Sequence, residues 1–183
     1  MKKLVIAVSG PPASGKSTIA RFLAKEFGLR YVSAGNLFRR LAQELNISLE
    51  EFHRLAEKDK KYDLMVDQRT IEEAKKGDVV LDGHLTGWIA RDHADLKIYL
   101  TAPLEERAKR LAIRDGKSIE ESMREILRRE ESNRKRYLEF YGIDIRDLSA
   151  FDVIIDTSKF SVESVKRIVK TIVEEYIESQ RKM

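Results

Sequence analysis

The stretch GPPASGKS, residues 10–17, decides the fold of this chain. Its glycines, its lysine and its final serine occupy every fixed position of the phosphate-binding pattern G-x-x-x-x-G-K-[ST]. The apolar run LVIAVS (4–9) precedes it and predicts a buried strand, whereas KSTIARFLAKEF (16–27) follows it with the periodicity of a helix. A strand–turn–helix context is what this motif requires, so a glycine-rich turn without a ligand is a poor explanation.

The chemistry of this loop suits the phosphates of a nucleoside triphosphate. Glycine lets the backbone turn tightly and bring its N–H groups against phosphate oxygens, and the helix start adds partial positive charge. Lys16 can reach the β- and γ-phosphates, and the Ser17 hydroxyl can ligate Mg²⁺. We expect ATP to bind through Gly10, Pro11, Pro12, Ala13, Ser14, Gly15, Lys16, Ser17 and Thr18. The motif alone does not separate a kinase from an ATPase or a GTPase.

Alternation of strands and helices along the whole chain predicts an α/β fold. Five apolar runs predict strands at 4–9, 31–33, 79–82, 96–101 and 151–156, and helical patterns lie between them. Near-continuous apolarity is typical of a parallel sheet that is covered on both faces. Ser48 with Glu51, and Ser118 with Glu121, have the spacing of capping boxes at two helix starts. We therefore expect three layers, α/β/α, around a five-stranded parallel sheet.

Composition narrows the class of protein further. The chain has 183 residues, no cysteine, and 36% charged residues that nearly balance at a net charge of +4. There is no disulfide framework and no cysteine-based zinc site. No run is long enough to span a bilayer, and the start of the chain has no signal-peptide pattern, so we expect a cytoplasmic protein. The basic character admits nucleic acid as a partner, but it equally fits arginines gathered around phosphates.

A second element, SAGNLFRR (33–40), resembles the first one in combining a glycine turn with a cationic residue near the start of a helix. Ser33 ends a predicted strand, a turn at Gly35 follows, and Arg39 lies on the first turns of a helix. A kinase whose acceptor is itself a phosphate needs a second cationic site, and the arginine fork can hold a phosphate bidentately. The alternative is a solvated helix face, which we favour for Arg40 but not for Arg39.

The order of these motifs, continued by VVLDG (79–83) and APLEERAKRLAIRDG (102–116), resembles that of nucleoside monophosphate kinases. Within that group the chain is most similar to cytidylate kinases of the archaeal type, mainly through RYLEFYGIDIRDLSAFD (136–152). The resemblance covers nearly the whole chain. It implies a P-loop kinase domain over residues 1–183, with a core (1–33, 75–113, 134–183), an acceptor-binding insertion near 34–74 and a lid near 114–133.

The resemblance also implies roles for particular residues. Asp82, which ends a predicted strand, matches the aspartate that positions Mg²⁺ together with Ser17. Arg110 and Arg114 match arginines that flank the donor nucleotide. Arg129 and Arg136 lie two turns apart on one helix face and match arginines that close over the transferring phosphoryl group, with Lys16 as the third catalytic residue. Arg134 can exchange roles with either, and Arg107 is interpreted as a partner of glutamates on its helix.

His84 departs from the pattern, because relatives often carry an arginine in or just after the Asp-Gly turn. The expected acceptor site therefore consists of Ser33, Gly35, Arg39, Asp82, Gly83 and His84. A histidine with its ordinary pKa would gain a proton as the pH falls toward 6, which would improve its hold on a phosphate. His53 and His93 are interpreted as surface residues without a role.

These observations predict Mg²⁺-dependent transfer of the ATP γ-phosphoryl group to CMP or dCMP by a monomeric enzyme. A kinase for AMP, UMP or a small metabolite remains open. A GTPase switch would need N-K-x-D and D-x-x-G motifs, and the sequence contains neither. A nucleic-acid-binding or 5′-end kinase module remains a further alternative, although we expect neither nucleic acid nor membrane as a partner.

Overall fold

A computed structural model describes residues 3–182 of the chain. Its sheet contains five strands, β1 (Val5–Ser9), β2 (Arg30–Ser33), β3 (Val79–Asp82), β4 (Leu96–Thr101) and β5 (Val153–Asp156). All neighbours are parallel, and the strand order is β2-β3-β1-β4-β5. The predicted three-layer α/β fold with a five-stranded parallel sheet is confirmed.

Eight helices connect and cover these strands within the described residues. They are α1 (Lys16–Glu26), α2 (Ala34–Glu44), α3 (Leu49–Lys58), α4 (Lys61–Lys76), α5 (Thr86–Ile89), α6 (Leu104–Asp115), α7 (Ile119–Tyr141) and α8 (Val162–Lys182). Three of them, α2 to α4, lie between β2 and β3 in the chain, and α6 and α7 form a helical hairpin before β5. In the described part of the chain, no helix is both long and apolar enough to cross a bilayer.

The two faces of the sheet are buried by different helices. Ile6, Val8 and Val80 point to the face covered by α1 and α8, whereas Val5 and Leu81 point to the other face. This division follows from the strand period of two, which sends successive side chains to opposite sides. Because both faces are covered, the central strands β1 and β3 are buried at every position.

Two local features differ from the sequence predictions. The predicted turn at Gly35 is wrong, because β2 passes directly into α2, which begins at Ala34. Ser33 caps this helix, and its Oγ accepts a hydrogen bond from the Asn36 backbone N–H at 3.2 Å. The short helix α5 was not predicted, since four residues are too few to show a helical period. It is held to β1 by the Gly87 N–H, which donates to Ser9 Oγ at 2.9 Å.

The hairpin of α6 and α7 is fixed by capping and by one buried arginine. Ser118 and Glu121 form the predicted capping box at the start of α7. Arg107 pairs with a glutamate as expected, but with Glu130 on α7 rather than with one on its own helix, at 2.6 Å. It also donates to the backbone oxygen of Pro12, at 3.3 Å. Arg107 therefore ties the hairpin to the phosphate-binding loop.

Candidate active site

One cavity lies at the carboxyl ends of β1, β2 and β3, which is where open α/β sheets bind their ligands. Most of the predicted site residues line it, namely Pro12, Ala13, Lys16, Ser17, Ser33, Gly35, Arg39, Asp82, Gly83, His84, Arg114, Arg129 and Arg136. The structure therefore brings the two predicted phosphate-binding elements to a single cavity.

The loop before α1 is built to expose backbone N–H groups. Gly10 has φ +155°, and a Cβ on it would lie 2.2 Å from the Leu100 backbone oxygen, so only glycine fits between the loop and β4. The first residue of α1 is preceded by Gly15, and no side chain caps this helix. Its first N–H groups are therefore free to donate hydrogen bonds to a ligand oxygen, and the helix dipole favours an anion there.

Lys16 lies deep in this loop, where its Nζ donates to the Pro11 backbone oxygen at 3.3 Å. Burial lowers the pKa of Lys16 to about 8, although the nearby charge of Asp82 opposes the shift and keeps it from falling further. The protein itself therefore balances the charge of Lys16 only in part. A phosphate in the loop would supply the missing counter-charge and raise the pKa again.

Asp82 ends β3 beside Lys16 and is 2% exposed. Its Oδ2 accepts a hydrogen bond from the Tyr31 hydroxyl at 2.6 Å. Its Oδ1 is buried without a hydrogen-bond partner. An unpaired buried carboxylate oxygen is costly unless a ligand completes it. Because Ser17 lines the same cavity, these two oxygen ligands fit a hard cation such as Mg²⁺.

Helix α2 presents Arg39 to the same cavity. This residue is exposed, and its Nη2 donates to the side-chain oxygen of Asn36 one turn earlier. Gly83 follows Asp82, and a Cβ on it would lie 2.8 Å from the Cβ of Ala34. Glycine at this position therefore allows the end of β3 to approach the start of α2. Arg40, by contrast, lines a separate surface hollow.

Arg136 is 2% exposed and belongs to a chain of polar contacts in the cavity wall. Its Nε donates to Asp63 Oδ2 at 2.8 Å, and its Nη1 donates to Ser132 Oγ at 2.8 Å. Its Nη2 donates to the side-chain oxygen of Asn133 at 3.1 Å. All three guanidinium nitrogens thus have protein partners, and the predicted catalytic role of Arg136 stays a prediction.

The same chain fixes the protonation of His84. Because Arg136 can only donate, the Asn133 oxygen must face it, and the Asn133 amide N–H is left to donate to His84 Nδ1, 2.8 Å away. His84 is therefore neutral, with its proton on Nε2. Burial, together with the positive charge of Lys16, lowers the pKa of His84 to about 3. The expectation that His84 gains a proton near pH 6 is wrong.

The remaining predicted arginines differ in how freely they can reach a ligand. Arg129 Nε is buried without a partner, and its Nη1 makes only a 3.5 Å pair with Glu125. Arg114 lines the cavity mouth and pairs with the neighbouring Asp115. Arg110 lies outside the cavity and donates to Thr157 Oγ1 at 2.8 Å, while Thr157 Oγ1 donates to the Ser14 backbone oxygen at 3.0 Å. Arg110 therefore stands beside the phosphate-binding loop, on its outer side.

Several cavity residues were not singled out from the sequence. They include Phe38, His53, Asp63, Val66, Asp67, Thr70, Asn133 and Tyr137. His53 was interpreted as a surface residue, which is wrong: its Nδ1 is buried, and burial lowers its pKa to about 4. His93 is exposed, as expected. A signal for the α4 residues was present, since Asp63, Val66, Asp67 and Thr70 have the spacing of one helix face.

Comparison with known proteins identifies the family of this chain. Residues 5–159 match the model of the cytidylate kinase-like family. The cytidylate kinase of Pyrobaculum aerophilum is 56% identical over 165 residues, covering 90% of this chain and 90% of that protein. The cytidylate kinase of Pyrococcus horikoshii is 51% identical over 172 residues, covering 94% of this chain and 89% of that protein.

Solved structures agree on the fold. The shikimate kinase of Bacteroides thetaiotaomicron superposes with a TM-score of 0.65 over 94% of this chain and 99% of that chain, at 15% identity. The shikimate kinase of Acinetobacter baumannii, in complex with shikimate, gives a TM-score of 0.55 over 97% of this chain and 95% of that chain, also at 15% identity. At this identity the likeness concerns the fold alone. The match to the family model and the identity to two archaeal relatives, each over most of the chain, show that this chain belongs to the cytidylate kinase-like family.

Proposed function

We propose that the chain is a cytidylate kinase that transfers the γ-phosphoryl group of ATP to CMP or dCMP and releases CDP or dCDP with ADP. The observation that carries this proposal is the sharing of one cavity by the phosphate-binding loop and by Arg39 on α2. Two separate sites for anions are what a kinase with a phosphorylated acceptor needs. The similarity to archaeal proteins named cytidylate kinase supports CMP as that acceptor.

In this proposal the backbone of residues 10–15, Lys16 and Thr18 bind the triphosphate of ATP, and Arg110 and Arg114 flank the donor nucleotide. Ser33, Gly35, Arg39, Gly83 and His84 form the acceptor side. Arg39 holds the CMP phosphate, and His84 offers its Nε2–H as a neutral donor. An oxygen of the CMP phosphate attacks the γ-phosphorus as the bond from that phosphorus to the bridging oxygen of ADP breaks. No covalent enzyme intermediate is required.

Charge on the transferring group is balanced by residues around it. Lys16 and Arg129 supply donors at the equatorial oxygens of the transferring group. Arg136 completes the set if it exchanges its contact with Asp63 for one with that group. Ser17 and Asp82 would hold Mg²⁺, which supplies further neutralisation of the phosphates when bound. The buried unpaired Oδ1 of Asp82 supports this assignment.

The proposed function also implies a division of the chain into a core, an insertion and a lid. We assign residues 34–74 to an acceptor-binding insertion and residues 114–133 to a lid, with the remainder as the core. The role of the lid is to exclude water around the two substrates, which limits hydrolysis of ATP. The proposal further places the enzyme in the cytoplasm as a monomer, without nucleic acid as a partner.

A panel of acceptors tests the function directly. The purified chain is assayed with ATP and Mg²⁺ against CMP, dCMP, UMP, AMP, shikimate and a 5′-hydroxyl oligonucleotide. We expect the highest kcat/KM for CMP or dCMP. Equal turnover of AMP or UMP would remove the cytidylate assignment, and phosphorylation of shikimate or of the oligonucleotide alone would overturn the proposal.

A further inference from the structure

The cavity has two chemically different ends. The end near the phosphate-binding loop carries the cations Lys16, Arg39 and Arg129, as well as Asp82. The other end is formed by one face of α4, which contributes two carboxyl groups and two uncharged side chains, Asp63, Val66, Asp67 and Thr70. If the phosphates occupy the cationic end, as the proposed function requires, the base of the acceptor is directed toward α4.

The two carboxyl groups on α4 differ in their hydrogen-bond partners. Both oxygens of Asp63 accept from Arg136, at 2.8 and 3.4 Å, so its charge is matched by a buried cation. Asp67 has no such partner among residues 3–182. The Tyr141 hydroxyl donates to its Oδ2, and no residue in that range hydrogen-bonds to its Oδ1.

The environment of Asp67 makes ionisation of this carboxyl group costly. Burial raises the pKa of Asp67 to about 7, and the neighbouring charge of Asp63 adds to the rise, whereas the hydrogen bond from Tyr141 opposes it. A donor brought by a ligand would offset part of this cost, because hydrogen bonds to ionised oxygens are stronger than neutral ones.

Apolar and aromatic side chains line the same region. Val66 contributes an aliphatic surface from α4, and Phe38 contributes a ring from α2. The Phe38 ring lies 4.9 Å from that of His53 and 5.8 Å from the Arg136 guanidinium carbon. A flat heterocycle can pack against such surfaces and present its edge to a carboxyl group.

We propose that Asp67 is the specificity-determining residue for the acceptor base, and that its Oδ1 accepts a hydrogen bond from the exocyclic amine of cytosine. This inference rests on the proposed function. Cytosine carries an amino group at C4, which donates, whereas uracil carries an oxygen there, which can only accept. An acceptor facing an acceptor leaves both groups unpaired, so the site discriminates against UMP.

The test is the ratio of kcat/KM for CMP to kcat/KM for UMP in the Asp67→Asn variant. The Tyr141 hydroxyl retains an oxygen acceptor on the new amide, which leaves the amide N–H₂ facing the base. We expect kcat/KM for CMP to fall about ten- to hundredfold, as for loss of a hydrogen bond to a charged group. The value for UMP should stay level or rise, since its C4 oxygen gains a donor.

The Glu72→Gln variant is the matched control, because Glu72 is an exposed carboxylate on the same helix and, within residues 3–182, pairs only with residues of that helix. It should keep the wild-type ratio. Thermal unfolding of both variants verifies that they fold. If Asp67→Asn lowers kcat/KM for CMP and UMP by the same factor, Asp67 has only a structural role and the proposal is overturned.

A separate measurement distinguishes this failure from failure of the proposed function. Calorimetric titration of CMP and UMP without ATP measures the base preference of the cavity without phosphoryl transfer. If the wild type prefers CMP and Asp67→Asn loses that preference, the role of Asp67 stands even for an enzyme whose turnover is low with both. If the wild type binds both nucleotides equally, Asp67 does not determine the base.

Discussion

The two ends of the cavity are built in contrasting ways. The phosphate-binding end is centred on a continuous segment, residues 10–17, whose backbone presents donors that any triphosphate can use. The end at α4 is assembled from side chains of three helices, with Asp63 and Asp67 on α4, Phe38 on α2, and Arg136 and Tyr141 on α7. In the proposed function, backbone N–H groups and cationic side chains bind the phosphates, whereas the side chains at α4 recognise the base. Damage to the first end should affect all acceptors alike, and damage to the second should change their ranking.

Removal of Lys16 should have the largest effect. We expect Lys16→Ala to reduce kcat at least about a hundredfold, because a preorganised charge is lost from the transferring phosphoryl group. The kcat values for CMP and for UMP should fall by the same factor, since both reactions use the same ATP. Lys25→Ala is the control, since Lys25 is exposed at the other end of the same helix. A folded Lys16→Ala enzyme with near-normal turnover would refute the assignment of the donor site.

Removal of Arg39 should have the next largest effect, and on the acceptor alone. We expect Arg39→Ala to raise KM for CMP about ten- to hundredfold, the value of a charge-assisted contact to phosphate, with KM for ATP nearly unchanged. The ratio of CMP to UMP turnover should not move, because the phosphate is common to both. Arg40→Ala, at the adjacent position in its own surface hollow, serves as the control. A rise in KM for ATP instead would mean that the two phosphate sites are exchanged.

The protonation of His84 gives a prediction about the pH dependence of the site. The unfolded chain takes up a proton on this histidine near pH 6.5, whereas the folded chain does so only near pH 3, so His84 lowers stability as the pH falls below 6.5. We expect its imidazole NMR signals to show no titration between pH 5 and 8. Wild type and His84→Gln should then share one pH profile of KM for CMP. A titration of His84 midway through that range would contradict the contact with Asn133 as described.

The smallest effect is expected for the ion pair that joins α7 to α3. Arg128 Nη1 lies 3.0 Å from Glu50 Oε1, but the two side chains are 70% and 58% exposed. Exposed pairs contribute about 0–1 kcal/mol, so Arg128→Ala should change KM for CMP less than about fivefold. Kinetics at low and high salt would measure it. A larger loss would show that the contact between α3 and α7 contributes to acceptor binding.

Much of the fold and of the phosphate-binding end could be predicted from the sequence, because both are local properties of the chain. Apolar runs identify buried strands, and a glycine-rich loop with lysine and serine identifies a phosphate site by spacing alone. Asp82 could be placed because it ends a strand, and parallel strands bring their carboxyl ends to one edge. The start of α2 at Ala34 was missed because glycine within the first turn of a helix looks like a turn.

The rest of the site depends on partners that are distant in the chain. Arg136 and Asp63 are 73 residues apart, and His84 and Asn133 are 49 apart, so no local pattern connects them. The neutral state of His84 results from burial and from cations on three helices, Lys16, Arg107, Arg129 and Arg136. The spacing of Asp63, Val66, Asp67 and Thr70 indicates one helix face, but it does not show that this face borders the cavity.

A crystal structure of the protein with CMP and ADP would test the two-ended site most directly. We expect the CMP phosphate within hydrogen-bonding distance of Arg39, the ADP phosphates against the backbone of residues 10–15, and the cytosine amine within about 3.2 Å of Asp67 Oδ1. A CMP bound with its base toward Lys16, or with its amine facing solvent away from α4, would contradict the proposed site.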